Sequence, residues 1–200
     1  MTVTRDQALK ILDELKNSPN MVKHALACEA AMRALARKLI TQNGGGASLL
    51  RSAELKAVED NWGIVGLLHD ADYEAADKSE ERHTEVVTEK LQAAGCDQEI
   101  IDAVRGHADK ALRDTSMAKA IYAADELTGL IVATALVMPE KKLASVTTES
   151  VLKKFKDLSF ARGANREMIK SCQSELGISL EEFIAIALGA MQKISVKLGL

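Results

Sequence analysis

The chain has 200 residues, a formal net charge of −3, 47% hydrophobic residues, 28% charged residues and only 3% aromatic ones. That length can bury a sizeable core. The small net charge excludes a chain-wide field for nucleic acid or a membrane surface, so no extended nucleic-acid surface is expected.

Alanine and leucine are abundant and aromatic residues scarce, which favours helix over sheet. The only two prolines are Pro19 and Pro139, so few helices need be interrupted. The opening residues, MTVTRDQALK, lack the apolar core of a signal peptide. The longest apolar stretch, 127–138, is about a dozen residues, too short to span a bilayer. Cys28, Cys96 and Cys172 are widely spaced and odd in number. They are expected as reduced thiols of a cytoplasmic protein, and without a CxxC pair cysteine ligation is not indicated.

In chain order, Thr4 with Gln7 forms a capping-box pattern that opens a first helix. Ser18-Pro19 starts a second, with Met21, His24, Cys28, Ala31 and Leu35 on one face. It is expected to end near Asn43, before a hinge or loop at Gly44-Gly45-Gly46. No GK[ST] follows those glycines, which excludes a phosphate-binding P-loop. The pattern then predicts helices over 48–61 and 62–68, an acidic loop over 70–79, and a helix over 79–95 capped by Gly95. Asp97 opens a helix to about 112, and Thr115 or Ser116 opens a long apolar one stopped by Pro139. Thr148, Ala164 or Asn165, and Ser179 open the rest. The expected architecture is all-α, a single domain over 1–200 of about eight or nine helices, without repeats or strands.

The four histidines are His24, His69, His83 and His107. His107 shares a helical stripe with Ile100, Val104 and Ala111, and His24 shares one with Met21, Cys28 and Ala31, so both face inward. Asp125 lies on a stripe with Ala118, Ile121, Tyr122, Gly129 and Val132. A carboxylate buried there must be neutral, paired or metal-bound. His69-Asp70 follows an apolar run. Two adjacent side chains cannot share a helix face, but at a helix end both can reach one ion. Inward histidines and carboxylates together point to a cation.

The order His24, His69-Asp70, Asp125 resembles the H…HD…D signature of the HD-domain metal-dependent phosphohydrolases, of the small kind called HDIG-type. The contexts GLLHDADY and AADELTGLIVA carry the likeness, which covers about 19–138. The chain departs from the namesake pattern at Ala71-Asp72, where the family has Ile-Gly. The resemblance implies an HD-domain-like helical bundle with the helices of 139–200 packed on the metal-binding part. It implies that His24, His69, Asp70 and Asp125 hold one divalent ion, and that Asp70 bridges to a second held with His83 and His107. The ion would be Mn, Mg, Fe, Co, Ni or Zn. The implied activity is hydrolysis of a small phosphate ester, expected to be a nucleotide, by metal-activated water.

Basic residues should grip the rest of the substrate. Lys110 and Arg113 follow His107, and Arg162 and Arg166 in FARGANRE are a second pair, all candidates for substrate binding. Asp72, beside the doublet, is expected either to orient the water or donate a proton, or to serve as a turn residue. Lys153, Lys154 and Lys156 read as the flank of a helix. The last helix reads as packing, onto the domain or across a homodimer. Two other readings stay open: a di-iron oxygenase on the same six ligands, and a non-catalytic HD module, which usually lacks the doublet or the last aspartate.

Overall fold

Thr4 caps the first helix as its pattern predicts: its hydroxyl accepts from the Gln7 amide, and the Gln7 side chain accepts from the Thr4 amide. The computed structural model describes residues 3–42 and 52–200. The expected helix end near Asn43, the Gly44-Gly45-Gly46 hinge and a helix start at Ser48 fall outside them. The described residues form ten α-helices, one 3₁₀ turn at Leu143–Ser145 and no strand, an all-α bundle.

The helices are α1 (Arg5–Glu14), α2 (Pro19–Gln42), α3 (Ser52–Leu68), α4 (Glu85–Ala93), α5 (Gln98–His107), α6 (Ser116–Val137), α7 (Thr148–Lys156), α8 (Arg166–Leu176), α9 (Leu180–Lys193) and α10 (Ser195–Leu198). Four expected boundaries move. The helix opened by Asp97, expected to reach about 112, ends at His107, before Asp109 turns at φ 59°. The residues through Asn61 and Trp62 run on as one helix, because Asn61 tolerates the helical interior when Trp62, Ile64, Val65 and Leu68 bury beside it. The helix expected from 79 starts only at Glu85, after a segment of turns. The terminal helix breaks at Ile194, so its last residues form a separate turn of helix.

α6 is the axis of the bundle and packs against α2, α5, α7, α8 and α9. Its length and apolar composition would suffice to cross a membrane, a test that the shorter stretch 127–138 does not meet. Burial accounts for that composition: Met117, Ile121, Leu127, Leu130 and Ile131 are all core residues. α2 and α3 lie in close contact because both present small residues. A Cβ on Gly66 would stand 2.7 Å from the Cys28 carbonyl carbon and oxygen. Ion pairs staple the far side of the same helices, with Arg33 joining Glu29 and Asp60, and Arg37 joining Glu59. This tight pairing sets α2, which carries His24, directly against the end of α3, which delivers His69 and Asp70.

Candidate metal centre

α3 ends at Leu68, and His69 and Asp70 follow in a turn. The helix end separates the two side chains as the doublet argument requires. His69 is fully buried. Its Nδ1 lies 3.0 Å from the Gly66 carbonyl oxygen, which can only accept, so Nδ1 carries the proton and Nε2 faces the centre. His107, the last residue of α5, is held likewise by the Val104 carbonyl. His83 lies in the turns before α4, and its Nδ1 donates to Asp72 Oδ1 at 3.0 Å.

The six predicted ligands come together in two groups. His24 Nε2 lies 3.2 Å from His69 Nε2 and 3.0 Å from Asp125 Oδ1. Asp125 Oδ1 is 3.4 Å from His69 Nε2. In the second group His83 Nε2 is 3.0 Å from His107 Nε2. Asp70 faces both: Oδ2 lies 3.6 and 3.7 Å from His24 and His69, and Oδ1 lies 3.2 and 3.1 Å from His83 and His107. Donors bound at ~2.1 Å to one ion lie roughly 3.0 Å apart at right angles and roughly 3.4 Å apart at the tetrahedral angle. Six of the eight separations fall in that range, and the two from Asp70 Oδ2, at 3.6 and 3.7 Å, are wider. With Nδ1 protonated on both His83 and His107, their Nε2 lone pairs would meet head-on, which requires a cation or a proton between them. These buried histidines and aspartates therefore fit a metal ion.

Protonation of the metal-free cluster carries the same message. Burial lowers the affinity of His83 for its proton, but hydrogen bonds to the Asp70 and Asp72 carboxylates outweigh it and push the group up to about 9. His24 and His69 likewise stand well above their ordinary value despite burial, held there by Cys28, Asp70 and Asp125. Burial would raise the Asp70 and Asp125 carboxyls, but the neighbouring imidazoles hold both well below the usual range. Two carboxylates surrounded by imidazoles thus demand positive charge, which protons or a metal ion can supply.

One member of the cluster escapes the sequence reading. Cys28, one turn after His24 on α2, places Sγ 3.8 Å from His24 Nε2 and shares a donor group with His24, His69 and Asp125. Its i+4 spacing from a histidine was the available signal; the search for a CxxC pair passed it over.

Several expected roles change. Asp72 is fully buried and accepts from His83 Nδ1 and from the Thr84 and Val87 amides at 2.9 and 3.1 Å. It therefore positions His83 and caps α4, and has no access to a water or substrate. Arg166 is buried too, its guanidinium donating to the carbonyls of Lys154, Phe155, Asp157, Phe160, Ala161 and Ala164. It ties α7 to α8 rather than gripping a phosphate. Lys110 donates to the Glu81 and His83 carbonyls, pinning the segment that carries His83. Arg113 pairs with Asp109, donates to the Gly106 carbonyl and lies over the Tyr122 ring at 3.8 Å. Of the four basic candidates only Arg162 is exposed. Its neighbours Ala161 and Gly163 line the cleft described next.

His24, Asp70 and Asp125 are the partly exposed members of the cluster, and they line a cleft of about 430 Å³ with Met21, Tyr73 and Glu126. Glu126 also accepts from the Asn165 amide at 2.8 Å, and burial, with Asp125 and Asp70 nearby, raises its carboxyl. Comparison with protein-family models, with curated proteins and with solved structures finds no match for this chain.

Proposed function

We propose that this chain is a binuclear metal-dependent phosphohydrolase of the HD-domain kind, acting on a nucleotide or another small phosphate ester. One observation carries the reading: the two oxygens of Asp70 face two separate imidazole pairs, the arrangement a bridging carboxylate needs. His24, His69 and Asp125, with Asp70, would hold one divalent ion, and His83 and His107, with Asp70, the other. Bound there, divalent ions lower the pKa of water toward about 7 and neutralise charge on phosphoryl oxygens.

The chain's own residues do the rest. His69, His83 and His107, anchored from behind by Gly66, Asp72 and Val104, keep their donor nitrogens aligned. Two divalent ions against two aspartates leave about two net positive charges, which draws an anion into a cleft that has few cationic side chains of its own. Arg162 at the rim supplies one. Glu126, outside both donor groups and raised by burial, is the carboxyl suited to give a proton to the leaving oxygen.

The test is metal analysis of purified protein together with phosphate release from mono-, di-, cyclic and dinucleotides. Two equivalents of Mn, Co, Ni or Mg with phosphate release support the proposal. Two irons with a redox-active spectrum and dioxygen uptake would transfer the site to the oxygenase reading. Protein that holds metal yet releases phosphate from none of these substrates sinks the hydrolase.

A further inference from the structure

We infer that the ligand of this site has two parts, an anionic end at the metal centre and an apolar body lying over Gly129 in an adjoining lobe. The inference rests on the metal-centre reading and narrows its substrate class to anions joined by a short link to an apolar group.

The lobe has a volume of about 400 Å³ and is lined by Asn20, Lys23, Val132, Leu136 and Leu198. It shares His24 and Gly129 with the cleft over the donor cluster, so the two spaces adjoin at those residues of α2 and α6. Their characters differ. The cleft over the donors has the acidic side chains of Asp70, Asp125 and Glu126 among Met21, Tyr73 and small residues, whereas the lobe has no acidic side chain and includes Val132, Leu136, Leu198 and Leu200 with Lys23 and Asn20. Leu136 is 50% exposed, an apolar side chain left facing solvent at the outer wall.

Gly129 is the residue between them. It follows the ligand candidate Asp125 by one turn and so lies on the same side of α6. A glycine inside a helix destabilises it relative to alanine, and no packing contact requires one here, as none does at Gly189 of α9. A Cβ at this position would meet nothing within 4 Å. Its φ is not in the left-handed region, unlike that of Gly95 or Gly177. Gly66, by contrast, is forced by the Cys28 backbone. What glycine supplies at 129 is open space on an exposed part of α6 that borders both the charged cleft and the apolar lobe. A bare phosphate or a small diol ester would leave the lobe wet; an ester with a hydrocarbon or aromatic body would fill it.

The experiment separates this inference from the choice of reaction. Protein saturated with Ni²⁺ or Mn²⁺ is titrated calorimetrically with straight-chain hydroxamic acids, from acetohydroxamate to octanohydroxamate, whose common head group chelates metal whatever chemistry the enzyme performs. In the wild type, affinity should rise about fourfold for each of the first few methylenes. Gly129→Leu, which favours helix, should bring the ratio of long-chain to acetohydroxamate affinity close to one. Leu136→Asp, at the far wall of the lobe, should cut the same ratio at least severalfold. A flat series in the wild type, or a chain-length gain that survives Gly129→Leu, overturns the inference. A clear gain in protein without phosphatase activity keeps it and removes the phosphohydrolase. Protein that binds neither metal nor acetohydroxamate overturns both.

Discussion

Asp72 Oδ1 lies 3.0 Å from His83 Nδ1, and the same carboxylate accepts the amides of Thr84 and Val87 at the start of α4. One buried side chain thereby aims an imidazole and closes a helix end. Thr84 itself adopts φ 71°, a left-handed conformation costly for a β-branched residue. The Asp72 carboxylate, holding the amide of that residue, stabilises the turn that brings His83 into position. Asp72→Asn keeps an acceptor but removes the charge. It should weaken the metal held by His83 and His107 about 10- to 100-fold while leaving the His24–His69–Asp125 group loaded. Calorimetric titration of metal into the two proteins checks this, and equal loss at both sites would count against a positioning role.

The bridging geometry of Asp70 predicts a stoichiometry. Asp125→Ala and His107→Ala should each lose one equivalent of metal, from different groups, whereas Asp70→Ala should lose both. Metal counting after gel filtration, with circular dichroism to verify folding, reads the result. Retention of two ions by Asp70→Ala would show that the carboxylate bridges nothing.

A metal bound in the cluster would compete with protons, and the sign of the effect follows from His83. Its folded value, about 9, lies above the ordinary imidazole value. Its contribution is therefore complete below about pH 6.5, and it fades as pH rises through about 9. The metal-free protein should lose melting temperature across that window. Metal-loaded protein should lose less, and apparent metal affinity should climb as the protons leave. Thermal scans from pH 6 to 9.5 with and without metal test this; a metal-free profile that stays level across the window would refute it.

Arg166 and Arg162 separate stability from binding. Arg166→Ala strands buried carbonyls and should cost about 3 kcal/mol, lowering Tm by roughly 6–12 °C, with metal content unchanged. Arg162→Ala should alter stability by about 0.5 kcal/mol or less and raise KM about tenfold through loss of a charge-assisted contact. A Tm loss for Arg162→Ala matching that of Arg166→Ala would reverse these assignments.

Glu126→Gln tests the proton donor. Turnover should fall about 10²-fold or more, with metal content and KM nearly constant. The loss should shrink for esters whose leaving alcohol needs no proton, such as aryl phosphates. A uniform loss across leaving groups would assign Glu126 a binding role instead.

Much of this was legible along the chain because helical periodicity reports burial. The stripe through Ile100, Val104 and His107 placed an imidazole inward, and His107 is indeed buried at the end of α5. The apolar run before His69-Asp70 placed the doublet at a helix end, where α3 stops. The basic residues were not legible in this way. Lys110 and Arg113 follow His107 closely, yet their charges turn to the carbonyls and carboxylates of their own neighbourhood. Arg166 sits on the buried side of α8 because open carbonyls between α7 and α8 need donors. Proximity in sequence to a ligand carries no information about where a long, flexible side chain finds its partner.

Residue types and spacing alone therefore determined a helical fold and the inward-facing His24, His107 and Asp125, which follow from local propensity and a 3.6-residue period, whereas His83 and the buried Asp72 lie in turns where no such period applies. The tertiary structure shows the two groups that face Asp70, an arrangement the sequence suggested only through a family resemblance, and it alone decided that Asp72 serves His83 and that Cys28 joins the first group. Those facts depend on how closely α2 approaches α3 and how α5 and α6 lie across them. Contacts between residues 45 or 100 positions apart, such as His24 with His69 and Cys28 with Thr128, are set by helix packing and leave no periodic trace in the chain.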